Sequence, residues 1–241
     1  MNTQHTLEQM QELKLKGMAE CYETQLTMPV DQQLESHEMI AHLLAAEKLQ
    51  RGNDRMEYLL KNARLRFDAT PETIICKPER NLTKTTWSML LEGRYLQDGS
   101  AVLITGPTGT GKSWLACALG YQACMMGVRT KYYSMHRLIE SILMAKTEGS
   151  YVKLLNHIEK IPLIILDDFG LQNLNKQTKL ALLQIMEDRY AQKSIIITAQ
   201  LPVSEWHEYL NEPAIGDALC DRLTAKSQRI ELKGPSMRRG K

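Results

Sequence analysis

Long apolar runs are missing: nothing in the chain approaches the roughly 18 consecutive apolar residues of a membrane-spanning helix. The opening Met1-Asn2-Thr3-Gln4-His5 lacks the basic and apolar regions of a secretory leader, so the expectation is a soluble cytoplasmic protein. Paired cysteines are missing too. Cys21, Cys76, Cys117, Cys124 and Cys220 are odd in number and scattered, which excludes a disulfide framework or a zinc ribbon. The six histidines show no metal-ligand spacing. Charge of one sign is not dominant: 30 Lys and Arg against 28 Asp and Glu leave +2, too little to identify a polyanionic partner. The distribution is uneven, however. Residues 1–76 carry eight basic and twelve acidic side chains, so the basic excess lies in the remainder. Repeats and low-complexity stretches are absent, and 43% hydrophobic with 24% charged residues is an ordinary globular composition. At about 150 residues per domain, 241 residues predict one full domain and a smaller second one.

What is present divides into a helical part and an alternating part. Leu7, Met10, Leu13, Met18 and Leu26 predict an amphipathic helix over 6–26, interrupted by Pro29. Asp31 introduces a second helical stretch with Leu34, Ile40, Leu43, Leu44 and Leu49 as apolar positions. From 47 to 67 the polar positions become basic, with Lys48, Arg51, Arg55, Lys61, Arg64 and Arg66. On composition alone that segment reads as a solvated helix face. Pro71 and Pro78 bracket a linker. The predicted division is 1–70 helical, 71–100 linker and start of a core, and 101–241 the core. In that core, strands are expected at 101–105, 128–134, 162–166, 194–198 and 228–232. Helices are expected near 112–126, 135–158, 175–192 and 204–224. Alternation of this kind implies α/β architecture, a parallel sheet covered on both faces.

Gly106-Pro107-Thr108-Gly109-Thr110-Gly111-Lys112-Ser113 satisfies G-x-x-x-x-G-K-[ST] between a predicted strand and a predicted helix. The glycines let the backbone wrap so that successive NH groups and the helix N-terminus face phosphate oxygens. Lys112 supplies a point charge to the outer phosphates and Ser113 a hydroxyl for Mg²⁺. Some fifty residues on, the apolar run Leu163–Leu166 ends in Asp167 and Asp168. Asp167 is the candidate Mg²⁺ ligand, and Asp168 the candidate to orient and polarise an attacking water. Standing alone, Asp168 reads as an exposed loop acid; the phosphate loop changes that reading. The strand Ile195-Ile196-Ile197 ends in Thr198 and Gln200, of which one or the other is a candidate to hold the attacking water, the alternative being a plain strand-to-loop transition. Arg222 has two readings, an ion pair with Asp217 or Glu231 or a reach to a neighbouring subunit's nucleotide.

These elements resemble the AAA+ ATPases, and within them the IstB-like transposition helper ATPases, which are similar to DnaC helicase loaders and DnaA initiators. The resemblance covers nearly the whole chain. It is carried by ITGPTGTGKSWLACALGYQAC (104–124), LIILDDFGL (163–171), IIITAQLPVSEWHEYL (195–210), ALCDRL (218–223) and GPSMR (234–238). It implies a P-loop NTPase core with a five-stranded parallel sheet, a small all-α N-terminal domain and a reduced or absent helical lid. It implies ATP and Mg²⁺ as cofactors, with Lys112, Ser113 and Asp167 at the nucleotide and metal and Asp168 as the hydrolytic carboxylate. Gln200 matches the sensor position and Arg222 a finger acting on a neighbour's ATP; with no room for a full helical lid after the fifth strand, a sensor role for Arg238 stays open. Two departures stand out: many AAA+ proteins have Glu where Asp168 stands and Asn where Gln200 stands. The resemblance further implies a homo-oligomer on double-stranded DNA that recruits and activates a cognate DDE transposase, with Lys48, Arg51, Arg55, Lys61, Arg64 and Arg66 as a DNA arm. The alternatives are a DnaC-like helicase loader, a P-loop small-molecule kinase and a nucleotide-dependent binding module with little turnover.

Overall fold

A computed structural model describes residues 3–237. The chain divides into two units, Met1–Tyr58 and Leu59–Lys241. The sequence reading drew this boundary at residue 70. The structure draws it twelve residues earlier, within a continuous helix, because residues 59–70 are recruited into the core, with Leu59 and Ala63 buried against Cys124 and Ala69 buried with the strands; Leu82, Trp87, Leu90 and Tyr95, in the stretch read as a linker, are buried there too.

The first unit holds α1 (Thr3–Glu12), α2 (Lys16–Thr27) and most of α3 (Ser36–Ala63). One helix was expected over 6–26; Lys14, with φ of 58°, breaks it in two. α2 has no capping side chain of its own at Leu15. Glu47 from α3 takes that part, its Oε2 accepting from the NH groups of Gly17 (3.0 Å) and Met18 (3.3 Å) while Oε1 pairs with Arg51 Nε at 2.7 Å. The Arg51 contact and the two amides hold the carboxyl below its ordinary range. The cap is therefore present at neutral pH and is lost as acid takes the pH down through that lowered value. Glu47→Ala is expected to speed amide exchange at Gly17 and Met18 by about 5- to 10-fold, as for a lost helix cap, with Glu47→Gln intermediate. Exchange unchanged in the alanine variant would show that the contact caps nothing.

The second unit continues through α4 (Lys84–Leu91), α5 (Arg94–Asp98), β1 (Ala101–Thr105), α6 (Lys112–Met125), β2 (Thr130–Ser134), α7 (Met135–Thr147) and α8 (Tyr151–Glu159). It ends with β3 (Leu163–Phe169), α9 (Lys176–Arg189), β4 (Ser194–Ala199), α10 (Trp206–Leu210), α11 (Pro213–Thr224) and β5 (Ser227–Glu231). All pairings are parallel, in the order β2-β3-β4-β1-β5. Alternation along the buried strands sorts side chains to two faces. Val102, Ile104, Leu163, Ile165 and Ile196 pack under α4 to α6, and Leu103, Ile164, Leu166, Ile195 and Ile197 under α7 to α11. Two expected helices are each split, one after Gly149 and one at Asn211 ahead of Pro213. Among the described residues no helix follows β5. A fully parallel sheet brings every strand's carboxyl end to one edge, where open α/β sheets bind ligands.

Candidate active site

β1 delivers the chain into Gly106, and Gly106, Gly109 and Gly111 have φ of 140°, 85° and 90°, a region where a side chain is strained. Space is closed to a side chain as well. A Cβ on Gly106 would stand 2.2 Å from the Leu232 carbonyl oxygen, and one on Gly109 2.2 Å from Ser236 Oγ. The segment after β5 is thus clasped against the loop, with Met237 NH donating to Gly109 O at 2.9 Å. From the other side Arg80 Nη2 donates to Thr110 O at 2.7 Å. Thr110 Oγ1 bonds Pro107 O at 2.9 Å, while Pro107 and Thr108 are exposed at the loop's tip. Lys112 is buried at the first position of α6, and its Nζ donates to Gly106 O (2.7 Å) and Pro107 O (2.9 Å). α6 begins with Gly111 and no side-chain cap, which leaves its N-terminal end open toward an anion.

Asp167, fully buried in β3, gathers donors from three elements and from the segment that follows α3. Oδ1 accepts from Ser113 Oγ at 2.7 Å and from the Thr198 hydroxyl of β4; Oδ2 accepts from the Tyr132 hydroxyl of β2 and from Arg66 Nη1 at 3.2 Å. Burial, reinforced by the Asp167 carboxylate, holds the Tyr132 phenol protonated and a donor. Asp168 sits where the β3–β4 register shifts between Leu166 and Phe169, with φ of 66°. A bulge of this kind re-aims a side chain at a strand end. Its NH donates to Thr198 Oγ1 at 3.0 Å, and its Oδ2 lies 3.2 Å from Arg66 Nη1. Burial and the neighbouring Asp167 push the Asp168 carboxyl up, while Arg66 and Lys112 oppose that shift.

The structure brings Lys112, Ser113, Asp167 and Asp168 together, and Thr198 joins them as a tie between β3 and β4. Gln200, the first residue past β4, is exposed at the same strand end. Arg222 stands elsewhere. It pairs with Glu187 (3.3 Å) and Asp221 (3.6 Å), not with Asp217 or Glu231, which pair with His207 and Lys233. It lines a small cavity with Gly99, Ala101 and Ile195, at the amino ends of β1 and β4, opposite the phosphate loop. Lys48, Arg51 and Arg55 are exposed on one face of α3, and Lys61 is exposed near its end. Arg64, with φ of 51°, terminates that helix, so Arg66 leaves the basic face and turns to the two aspartates. Arg238 lies outside the described residues. Sequence reasoning missed Tyr132 and Arg80: neither belongs to a motif, and each reaches the site across a distance that only the fold closes.

This strand order, with a lysine-bearing phosphate loop facing a strand-end aspartate bonded to the Ser113 hydroxyl, defines a P-loop ATPase of the AAA+ type. The sequence model of the family described as IstB-like ATP binding protein matches residues 8–241, and the chain belongs to that family. It is 38% identical over 234 residues to the insertion sequence ATP-binding protein y4pL of Sinorhizobium fredii, covering 97% of this chain and 96% of that one. It is likewise 38% identical to the IS1162 ATP-binding protein of Pseudomonas fluorescens, covering 85% of this chain and 89% of the relative. Among solved structures, the DnaC helicase loader superposes with a TM-score of 0.57 at 22% identity, covering 69% of this chain and 98% of that one. AMPPCP-bound DnaA from Aquifex aeolicus gives 0.59 at 23% identity, covering 73% of this chain and 53% of that one. At such identities the likeness concerns the fold; this chain spans about half of DnaA.

Proposed function

We propose that this protein is a Mg²⁺-dependent ATPase that assembles on double-stranded DNA and serves the transposase of an insertion sequence. The observation that carries the ATPase reading is the Ser113–Asp167–Asp168 constellation beside the phosphate loop. Its donor chemistry fits Mg²⁺: a hydroxyl and a carboxylate, both hard oxygens, 2.7 Å apart at the head of α6. Ser113 and Asp167 would hold the ion, which supplies charge neutralisation of the phosphates when bound. Lys112 and the loop amides bind and orient the triphosphate, and the Asp168 carboxylate polarises the water that attacks its terminal phosphate. Arg222, at the far end of the sheet from its own phosphate loop, supports a reading in which it acts on the nucleotide of an adjoining copy. The exposed Lys48, Arg51 and Arg55 on α3 support contact with the DNA backbone, which carries little sequence preference. The client follows from the relatives, which are named for insertion sequences.

The test is ATP hydrolysis with and without long duplex DNA at two salt concentrations, with particle size followed in parallel. Particles that grow only with ATP and DNA, with stimulation that weakens as salt rises, are expected. Arg222→Ala is then expected to lower stimulated turnover by about 100-fold or more while leaving ATP binding intact, the signature of a residue acting in trans. A monomer indifferent to duplex DNA, or one that loads a helicase or phosphorylates a small acceptor, would overturn the reading.

A further inference from the structure

The side chains flanking Arg66 are both seated on α6. Leu65 Cδ2 lies 2.9 Å from where a Cβ on Gly120 would stand, and the Phe67 ring packs against Trp114 with centroids 5.4 Å apart. Cys117 of α6 is buried in the apolar cluster against which Leu65 and Phe67 pack. With the backbone pinned on both sides, the guanidinium lies 5.3 Å from the Phe67 centroid and places Nη1 at 3.2 Å from Asp167 Oδ2 and 3.2 Å from Asp168 Oδ2. The two aspartates depend on that contact unequally. Asp167 has hydroxyl donors from Ser113, Thr198 and Tyr132 as well. The Asp168 side chain is one-third exposed, and its ion pair is with Arg66.

We infer that Arg66 is a positioning residue of the hydrolytic centre: its shared Nη1 contact fixes the Asp168 carboxylate beside Asp167, and it does so from the chain segment leaving α3. The inference rests on the reading of Asp168 as the hydrolytic carboxylate. Carboxylates on adjacent residues repel, and a cation equidistant from both draws them to one place. Without it the Asp168 side chain turns to solvent, and a water that must be aimed is no longer aimed. ATP affinity rests on the phosphate loop and Lys112 and is left in place. Because one nitrogen makes both contacts, a lysine ammonium can take over the task, as it cannot where a guanidinium binds bidentately.

The experiment compares Arg66→Gln, Arg66→Lys, Asp168→Asn and the Arg66→Gln/Asp168→Asn pair in the full chain, reading the Kd of a fluorescent ATP analogue with Mg²⁺ and kcat separately. Arg66→Gln is expected to lower kcat by about 10-fold or more with Kd changed less than about 3-fold. Arg66→Lys is expected to recover most of the loss, and the double variant to be no slower than Asp168→Asn alone. Turnover retained in Asp168→Asn would remove the reading on which the inference stands. Turnover lost in Asp168→Asn but retained in Arg66→Gln would overturn the positioning role alone. So would additive losses in the double variant, or a Kd that rises in step with the loss of kcat whether or not lysine is present.

Discussion

Lys112→Ala is expected to weaken ATP binding by on the order of 100-fold and to lower turnover at least as much, while the fold survives. A charge-assisted contact to phosphate is worth about 2–3 kcal/mol, and no second cation of the loop stands in the same place. The lysine is buried, and its Nζ holds the carbonyls of Gly106 and Pro107 in a loop that is also held by backbone bonds, by Thr110 and by Arg80. Arg80 and Met237, which brace the loop at Thr110 and Gly109, are untouched by the substitution. Titration with a fluorescent ATP analogue and a thermal melt on the same sample separate the two quantities. Wild-type affinity in a folded variant would mean that nucleotide binds somewhere other than this loop.

The second large effect concerns Arg189, the last residue of α9, which is almost wholly buried. Its guanidinium donates to four carbonyls: Ile158 (3.0 Å), Ile161 (2.7 Å), Pro162 (3.1 Å) and Ser194 (2.6 Å). These belong to the end of α8, the approach to β3 and the first residue of β4, so one side chain closes three backbone ends under the sheet. Burial lowers its pKa to about 10, which leaves it charged at neutral pH. Arg189→Met fills similar volume but removes the side-chain donors of four buried carbonyls, of which those of Ile158 and Pro162 keep a backbone NH from Ile161 and Ser194, and is expected to destabilise the second unit by about 3 kcal/mol. Urea unfolding of the full chain reads this as a lower midpoint with unchanged slope in the core transition. A midpoint within about 1 kcal/mol of wild type would show that water or backbone adjustment satisfies those carbonyls instead.

Much of the core was legible because its signals are local. β1 falls on 101–105 as expected, and β3 and β4 extend the expected strands by one to three residues, since each is an apolar run bounded by turn chemistry. The phosphate loop and Asp167 carry their meaning in fixed spacing. The misses are of a different kind. α4 and α5 hide in the stretch read as a linker, where Thr83 caps α4 and two glycines with positive φ bracket α5, a pattern too short to show periodicity. The break at Lys14 depends on left-handed backbone at a residue that carries no turn signature, whereas Asn211, a residue type that tolerates αL and stands two before Pro213, carried a signal that the helical pattern of 204–224 outweighed. Arg66 was grouped with its basic neighbours by composition. Only the end of α3 at Arg64 and the seating of Leu65 and Phe67 on α6 separate it from them. Tyr132 is one of two adjacent tyrosines on β2, and nothing in the sequence tells which one faces Asp167.

The order of strands leaves β2 and β5 on the outside of the sheet, and their sequences, TKYYS and SQRIE, set Lys131, Arg229 and Glu231 along those margins. Charged side chains on a short outer strand discourage the backbone from zipping onto another sheet. The edges of this sheet are therefore poor templates for a strand of another chain, and the sheet ends with its own β2 and β5.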